Sequence, residues 1–91
     1  MDANSRLQRR SDVTFQSVAG EAILIRMDTG TYFSLNKVGT EFWDRLDGQQ
    51  TVAQHAAALA EKYNVEVAMV TRDLLELAGK LAAERLVDVA A

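Results

Sequence analysis

Acid–base and nucleophilic chemistry need two or more polar groups within hydrogen-bond reach of one another. The 91-residue sequence carries 13 Asp and Glu, spread over expected turns and helix surfaces: Asp28, Glu41, Asp44, Asp47, Glu61, Glu66, Asp73, Glu76 and Glu84 among them. The helical i,i+3 pairs Glu41/Asp44 and Asp73/Glu76 read as solvated helix faces, not as catalytic carboxylate pairs. A single histidine, His55, excludes any site needing two imidazoles, and it reads as a surface or boundary residue beside an apolar helix stripe. The absence of cysteine excludes a disulfide scaffold, a thiolate zinc site, an iron–sulfur cluster and a cysteine nucleophile. No Gly-x-Gly loop is present to cradle phosphate. The expectation is a protein that is not an enzyme and that uses no metal or cofactor.

Recognition is the chemistry that remains. In Thr31-Tyr32-Phe33-Ser34-Leu35, residues Thr31, Phe33 and Leu35 share one strand face, and Tyr32 and Ser34 point the other way. A strand at a sheet margin presents unpaired N–H and C=O groups, onto which an extended peptide can add as a further strand. The flank of a long helix carrying Met69, Asp73, Glu76 and Lys80 can supply the second wall of such a groove.

The elements that must position these residues follow from period and punctuation. Val13 to Gln16 alternates, and Ala22 to Met27 is rich in β-branched residues. Ala19-Gly20-Glu21 and Asp28-Thr29-Gly30 supply turns on either side of the second segment. Three consecutive strands, the last being Thr31–Leu35, make an antiparallel meander. At Asn36 the period changes: Asn36 is a good N-cap, with Val38, Phe42, Trp43 and Leu46 at helical spacing up to Asp47-Gly48. Thr51 and Gln54 form a capping-box pattern for a second helix with Val52, Ala56, Leu59, Ala60 and Tyr63 as its buried stripe. Asn64-Val65 breaks it. A third helix spans about Glu66 to Arg85, with Val70, Leu74, Leu77, Ala78 and Leu81 tracing its apolar face. Leu86 to Val89 forms a short extended tail. The fold class is α+β, and the aromatic residues Phe15, Phe33, Phe42, Trp43 and Tyr63 are mostly core by spacing.

Charge divides the chain. Overall it is −3, yet residues 1–11 hold three arginines against one aspartate, a net of +2, and the other 80 residues carry −5. Residues 1–11 are expected as a flexible basic tail and residues 12–91 as one domain. The body is a poor match for nucleic acid, whose affinity rests on phosphate neutralisation. No apolar run approaches the ~20 residues of a membrane span, and residues 1–12 lack the hydrophobic stretch of a secretory signal. The expected location is the cytoplasm.

Met27-Asp28-Thr29-Gly30-Thr31-Tyr32-Phe33-Ser34-Leu35-Asn36-Lys37-Val38-Gly39-Thr40-Glu41-Phe42-Trp43 resembles the signature of the PqqD-like family, named for pyrroloquinoline quinone biosynthesis protein D. The similarity continues through Leu46-Asp47-Gly48, Thr51-Val52, Leu59 to Tyr63, Val70 to Leu77 and Leu86-Val87, covering about residues 13–88. The resemblance implies a winged-helix-like domain of three strands followed by three helices. It implies a recognition element of ribosomally synthesised, post-translationally modified peptide pathways, which binds the leader segment of a precursor and presents it to modifying enzymes. Carried over, it places a leader on Thr31, Tyr32, Phe33, Ser34 and Leu35. The helix wheel adds Met69, Asp73, Glu76, Leu77 and Lys80 as groove residues. The implied partners are the precursor peptide and a leader peptidase, a cyclase or a radical S-adenosylmethionine enzyme, with the protein a monomer or weak dimer. The Tyr-Phe-Ser-Leu-Asn strand is closer to stand-alone leader-binding proteins of split lasso-peptide systems than to quinone-pathway proteins. The alternative is a winged-helix DNA-binding regulator. Its reading helix would be basic, whereas Glu66–Arg85 holds three basic and four acidic residues, a net of −1.

Overall fold

Ala19 and Gly20 both take positive φ, 53° and 80°, the pair that a two-residue type I′ turn requires. Strands β2 (Val13–Val18) and β3 (Glu21–Arg26) therefore fold back in register, with Val18 opposite Glu21 and Val13 opposite Arg26. A second turn is closed by the Gly30 N–H donating to the Arg26 carbonyl at 2.8 Å, with Gly30 at φ 73°. It delivers β4 (Tyr32–Ser34) antiparallel to β3. The resulting sheet has the order β2-β3-β4. The structure, a computed structural model, describes residues 1–90.

Directly opposed residues share a face, so Phe15, Leu24 and Phe33 all point toward the helices. Helix α1 (Lys37–Arg45) starts where the Asn36 side chain accepts the Gly39 N–H at 2.8 Å. Helix α2 (Val52–Tyr63) carries the complete Thr51/Gln54 capping box and ends at Asn64 in the left-handed conformation. Helix α3 (Val67–Ala83) is shorter than the expected Glu66–Arg85, because Glu66 gives no side-chain cap and Arg85 turns left-handed at φ 56°. Phe42, Trp43, Leu24, Leu59, Leu74 and Leu81 lie at the centre of one core, each at most 2% exposed. The three-stranded antiparallel sheet followed by three helices is the expected α+β meander.

Three expectations are corrected. Residues 1–11 are not a flexible tail: β1 (Arg6–Arg9) pairs with β5 (Val87–Ala90), the segment expected as a short extended tail. Leu7 is 1% exposed in the core. This pairing joins residues about 80 positions apart, so no local pattern announces it. His55, expected at the surface or boundary, is 1% exposed; its ring meets Phe42 edge-on at 5.6 Å. Phe15 and Tyr63, expected in the core, are 42% and 39% exposed. Phe15 lies at the margin, 5.9 Å from Trp43, with the Arg9 guanidinium 5.5 Å from its ring. That contact also links β1 to the main sheet.

Candidate functional site

Strand β4 is a margin of its sheet. Its ladder with β3 includes Arg26 N–H to the Thr31 carbonyl at 3.0 Å and Leu35 N–H to the Ala22 carbonyl at 2.8 Å. Antiparallel ladders alternate, so the backbone groups of Thr31, Phe33 and Leu35 face β3. Those of Tyr32 and Ser34 face outward, where no strand pairs with them among the described residues. The ladder ends on a side chain: the buried Thr40 hydroxyl accepts the Ala22 N–H at 2.8 Å. This anchors α1 against the sheet beside Leu35.

Beside that outward edge lies a groove of about 670 Å³ between β4 and α3. Eight of the ten residues predicted for the site line it: Phe33, Ser34, Leu35, Met69, Asp73, Glu76, Leu77 and Lys80. Thr31 and Tyr32 do not. The Thr31 hydroxyl bonds Thr29 in the turn, and Tyr32 stands on the outer sheet face, 73% exposed. Sequence reasoning missed the floor and far wall, which Val38 and Gly39 of α1, Leu59 and Tyr63 of α2, and Val70 and Leu74 of α3 supply. Leu59, Val70 and Leu74 were legible as buried helix positions, but nothing local shows that their cluster borders β4.

The floor is apolar and the rim is charged. Asp73 and Arg72 lie 3.8 Å apart, and Lys80 and Glu76 lie 3.7 Å apart one turn along α3. Exposed pairs of this kind contribute little to stability, so their charges remain available to a ligand. Outside the groove lining, Lys62 of α2 is hydrogen-bonded to Glu41 of α1, which holds its ammonium pKa above the usual lysine value. The sole histidine does not line the groove. Among the described residues, no cluster of three or more His, Asp or Glu is placed to hold a metal ion. No helix there is long and apolar enough to cross a membrane. The arrangement suits an extended chain that needs backbone partners on one side and apolar contact on the other. Asp73 and Glu76 on the exposed α3 face oppose a phosphate backbone.

Known structures share this architecture. A structure described as TbiB1 in complex with the TbiA(beta) leader peptide superposes with a TM-score of 0.81 at 28% identity, covering 92% of this chain and 98% of that one. A lasso peptide synthetase B1 complexed with its leader peptide gives 0.79 at 22% identity, over 91% and 98% of the two chains. The solution structure of the PqqD truncation of Methylobacterium extorquens PqqCD, described as a functional, stand-alone recognition element for ribosomally synthesised and post-translationally modified peptides, gives 0.76 at 21%, over 90% and 87%. The two below 25% identity bear on the fold alone. No curated protein matches in sequence. The family model described as Coenzyme PQQ synthesis protein D matches residues 21–87, from the start of β3 to the first residue of β5, and the chain belongs to the PqqD family.

Proposed function

We propose that this domain binds the leader segment of a ribosomally made precursor peptide by strand addition to β4 and presents it, chemically unchanged, to modifying enzymes. The carrying observation is the outward-facing backbone of Tyr32 and Ser34 running beside an apolar groove. TbiB1, at 28% identity, is held in complex with a leader peptide, which supports the same ligand class here.

Magnitudes divide the work between edge and groove. Tyr32 and Ser34 offer two N–H and two C=O groups. At a net ~0.5–1.5 kcal/mol each, these supply about 2–6 kcal/mol, against the ~8 kcal/mol of a micromolar complex. The edge fixes register, and the groove must provide the remainder. Two or three apolar leader side chains buried on Phe33, Val38, Leu59, Met69 and Leu77 supply it at about 1.5–3 kcal/mol each. Asp73, Glu76 and Lys80 then select charge along the rim. The enzyme receiving the complex is a leader peptidase, a cyclase or a radical S-adenosylmethionine enzyme. The Tyr32-Phe33-Ser34-Leu35-Asn36 strand, closer to stand-alone leader-binding proteins of split lasso-peptide systems, favours the peptidase and cyclase.

The test is titration calorimetry with the leader segment of a cognate precursor peptide, combined with amide exchange. Binding should slow exchange at residues 32–35, and the precursor should keep its mass after incubation with this protein alone. Binding without protection of those amides, or a changed precursor mass, would sink the proposal.

A further inference from the structure

Gly39 is a glycine without a conformational reason to be one. It is the third residue of α1, and its backbone is not among the positive-φ positions. Glycine is a poor helix former, so a glycine at such a site points to close packing. A Cβ added at Gly39 would lie 3.2 Å from Leu77 Cδ2, 3.3 Å from Asn36 Oδ1 and 3.5 Å from Leu35 Cβ. All three neighbours line the groove, as does Gly39. Leu35 at 3.5 Å is in ordinary contact and need not move, while Asn36 Oδ1 is held by the Gly39 N–H at 2.8 Å as the cap of α1. Leu77, the nearest neighbour and only half-buried, is the one free to give by a few tenths of an ångström, and its open side is the groove.

We infer that Gly39 sets the depth of the groove and is a specificity-determining residue for its ligand. With glycine there, Leu77 lies back against the α1 backbone and the floor admits a large apolar side chain from an extended peptide. Any Cβ pushes Leu77 forward and raises the floor. The inference rests on the groove being the peptide site proposed above. Gly79, on the exposed face of α3, is the internal control, because a Cβ there meets nothing within 4 Å.

The experiment uses a display library of random extended peptides, selected on the full chain. Selected peptides are remade with their largest apolar residue trimmed to alanine. Gly39→Ala should bind the untrimmed peptides at least about 10-fold more weakly, the scale of one methylene in an apolar pocket. It should bind the trimmed peptides as the parent does, and Gly79→Ala should bind both as the parent does. Adding Leu77→Ala to Gly39→Ala should restore the untrimmed peptides. Because the Cβ of Gly39→Ala comes within 3.3 Å of the Asn36 cap of α1, Leu77→Ala alone provides a second arm: fresh selection on it should return larger anchors than the parent does. An equal loss for trimmed and untrimmed peptides, no loss at all, or an unchanged anchor size on Leu77→Ala would overturn the inference. Amide exchange separates this failure from the other. If parent-selected peptides protect residues 32–35 yet show no dependence on Gly39, only the depth inference falls. If none protects them, the peptide site itself is wrong, and the inference falls with it.

Discussion

The short strands β1 and β4 both run along the margin of a sheet, yet one margin is closed and the other is open. The side of β1 away from β5 is covered by the α1–α2 turn: Gly48 N–H donates to the Leu7 carbonyl at 3.0 Å, and Arg6 Nε to the Gln49 carbonyl at 2.9 Å. Just upstream, the Ser5 and Ala3 carbonyls accept Val52 and Ala53 N–H at 3.0 and 2.9 Å, filling the N-terminal donors of α2. Arg10 then ties β1 to Asp12 and to Asp88 of β5. Around β4, by contrast, the outward backbone groups of Tyr32 and Ser34 have no partner strand, and Tyr32 is among the most exposed large side chains. The outward edge of β1 is thus closed by the α1–α2 turn, whereas that of β4 stays open to pairing. The difference separates what holds the fold together from what is left for a ligand.

Breaking the closed margin should have the largest effect. Leu7→Ala removes a side chain 1% exposed and should cost about 2–5 kcal/mol of stability, read by urea denaturation. Peptide affinity of the folded fraction should stay at the parental value. A loss below ~1 kcal/mol would return residues 1–11 to the status of a tail.

The complementary change at the open margin is Ser34→Pro. The Ser34 N–H faces outward, so proline there spares the β3–β4 ladder and removes a donor a bound strand would use. Affinity should fall by about 1–3 kcal/mol, roughly 5- to 150-fold, with the circular-dichroism spectrum retained. Phe33→Pro is its counterpart, because that N–H faces β3, and it should lower stability instead. Equal behaviour of the two prolines would show that the assigned ladder phase is wrong.

How much of these two margins was legible differs for a physical reason. The β4 edge could be read from Thr31 to Leu35 because alternation, the Asp28-Thr29-Gly30 turn and the Asn36 cap are all local signals. Only its ends shortened, to Tyr32–Ser34, where Thr31 leaves the turn and Leu35 enters the cap. The β1 strand, four residues with one buried apolar side chain, carries too little pattern to be told from a solvated arm.

His55 sharpens the comparison through pH, since it lies beside the closed margin in the first turn of α2. Burial pushes its imidazole pKa below the ordinary value, with Asp47 opposing the shift and Arg45 adding to it. Neither ring nitrogen has a hydrogen-bond partner among the described residues. The unfolded chain takes up this proton as pH falls through ~6.5, while the folded chain still resists it. Stability should therefore hold above that pH and decline below it, until the lower folded pKa is passed. Asp12 and Asp47, whose pKa values are lowered by Arg10 and by the Gln49 and Gln50 N–H groups respectively, act only in a separate, more acidic window. Denaturation midpoints at pH 8, 7, 6 and 5 test this, with His55→Leu expected to flatten the decline between pH 7 and 5. An unchanged slope in that variant would clear His55 of the effect.

The smallest effect belongs to neither margin. Ala19, at φ 53°, occupies a turn position that glycine fills without strain. Ala19→Gly should raise stability by a few tenths to about 1 kcal/mol and leave peptide affinity alone. A loss of stability would mean that unfolded-state entropy outweighs the relief of the left-handed alanine.

The sequence by itself determined the meander, the Asn36 and Thr51 caps, the buried stripes of the helices and the composition of the α3 rim. Each depends on residues within a few positions of one another, where backbone sterics and side-chain period suffice. Tertiary structure decided the rest. It placed Leu7 against the core and Val87–Ala90 beside Arg6–Arg9. It turned His55 inward against Phe42, and it brought Gly39 within one Cβ of Leu77. These outcomes depend on which surfaces face each other once the elements pack, and long-range contact of that kind leaves no periodic trace in the chain.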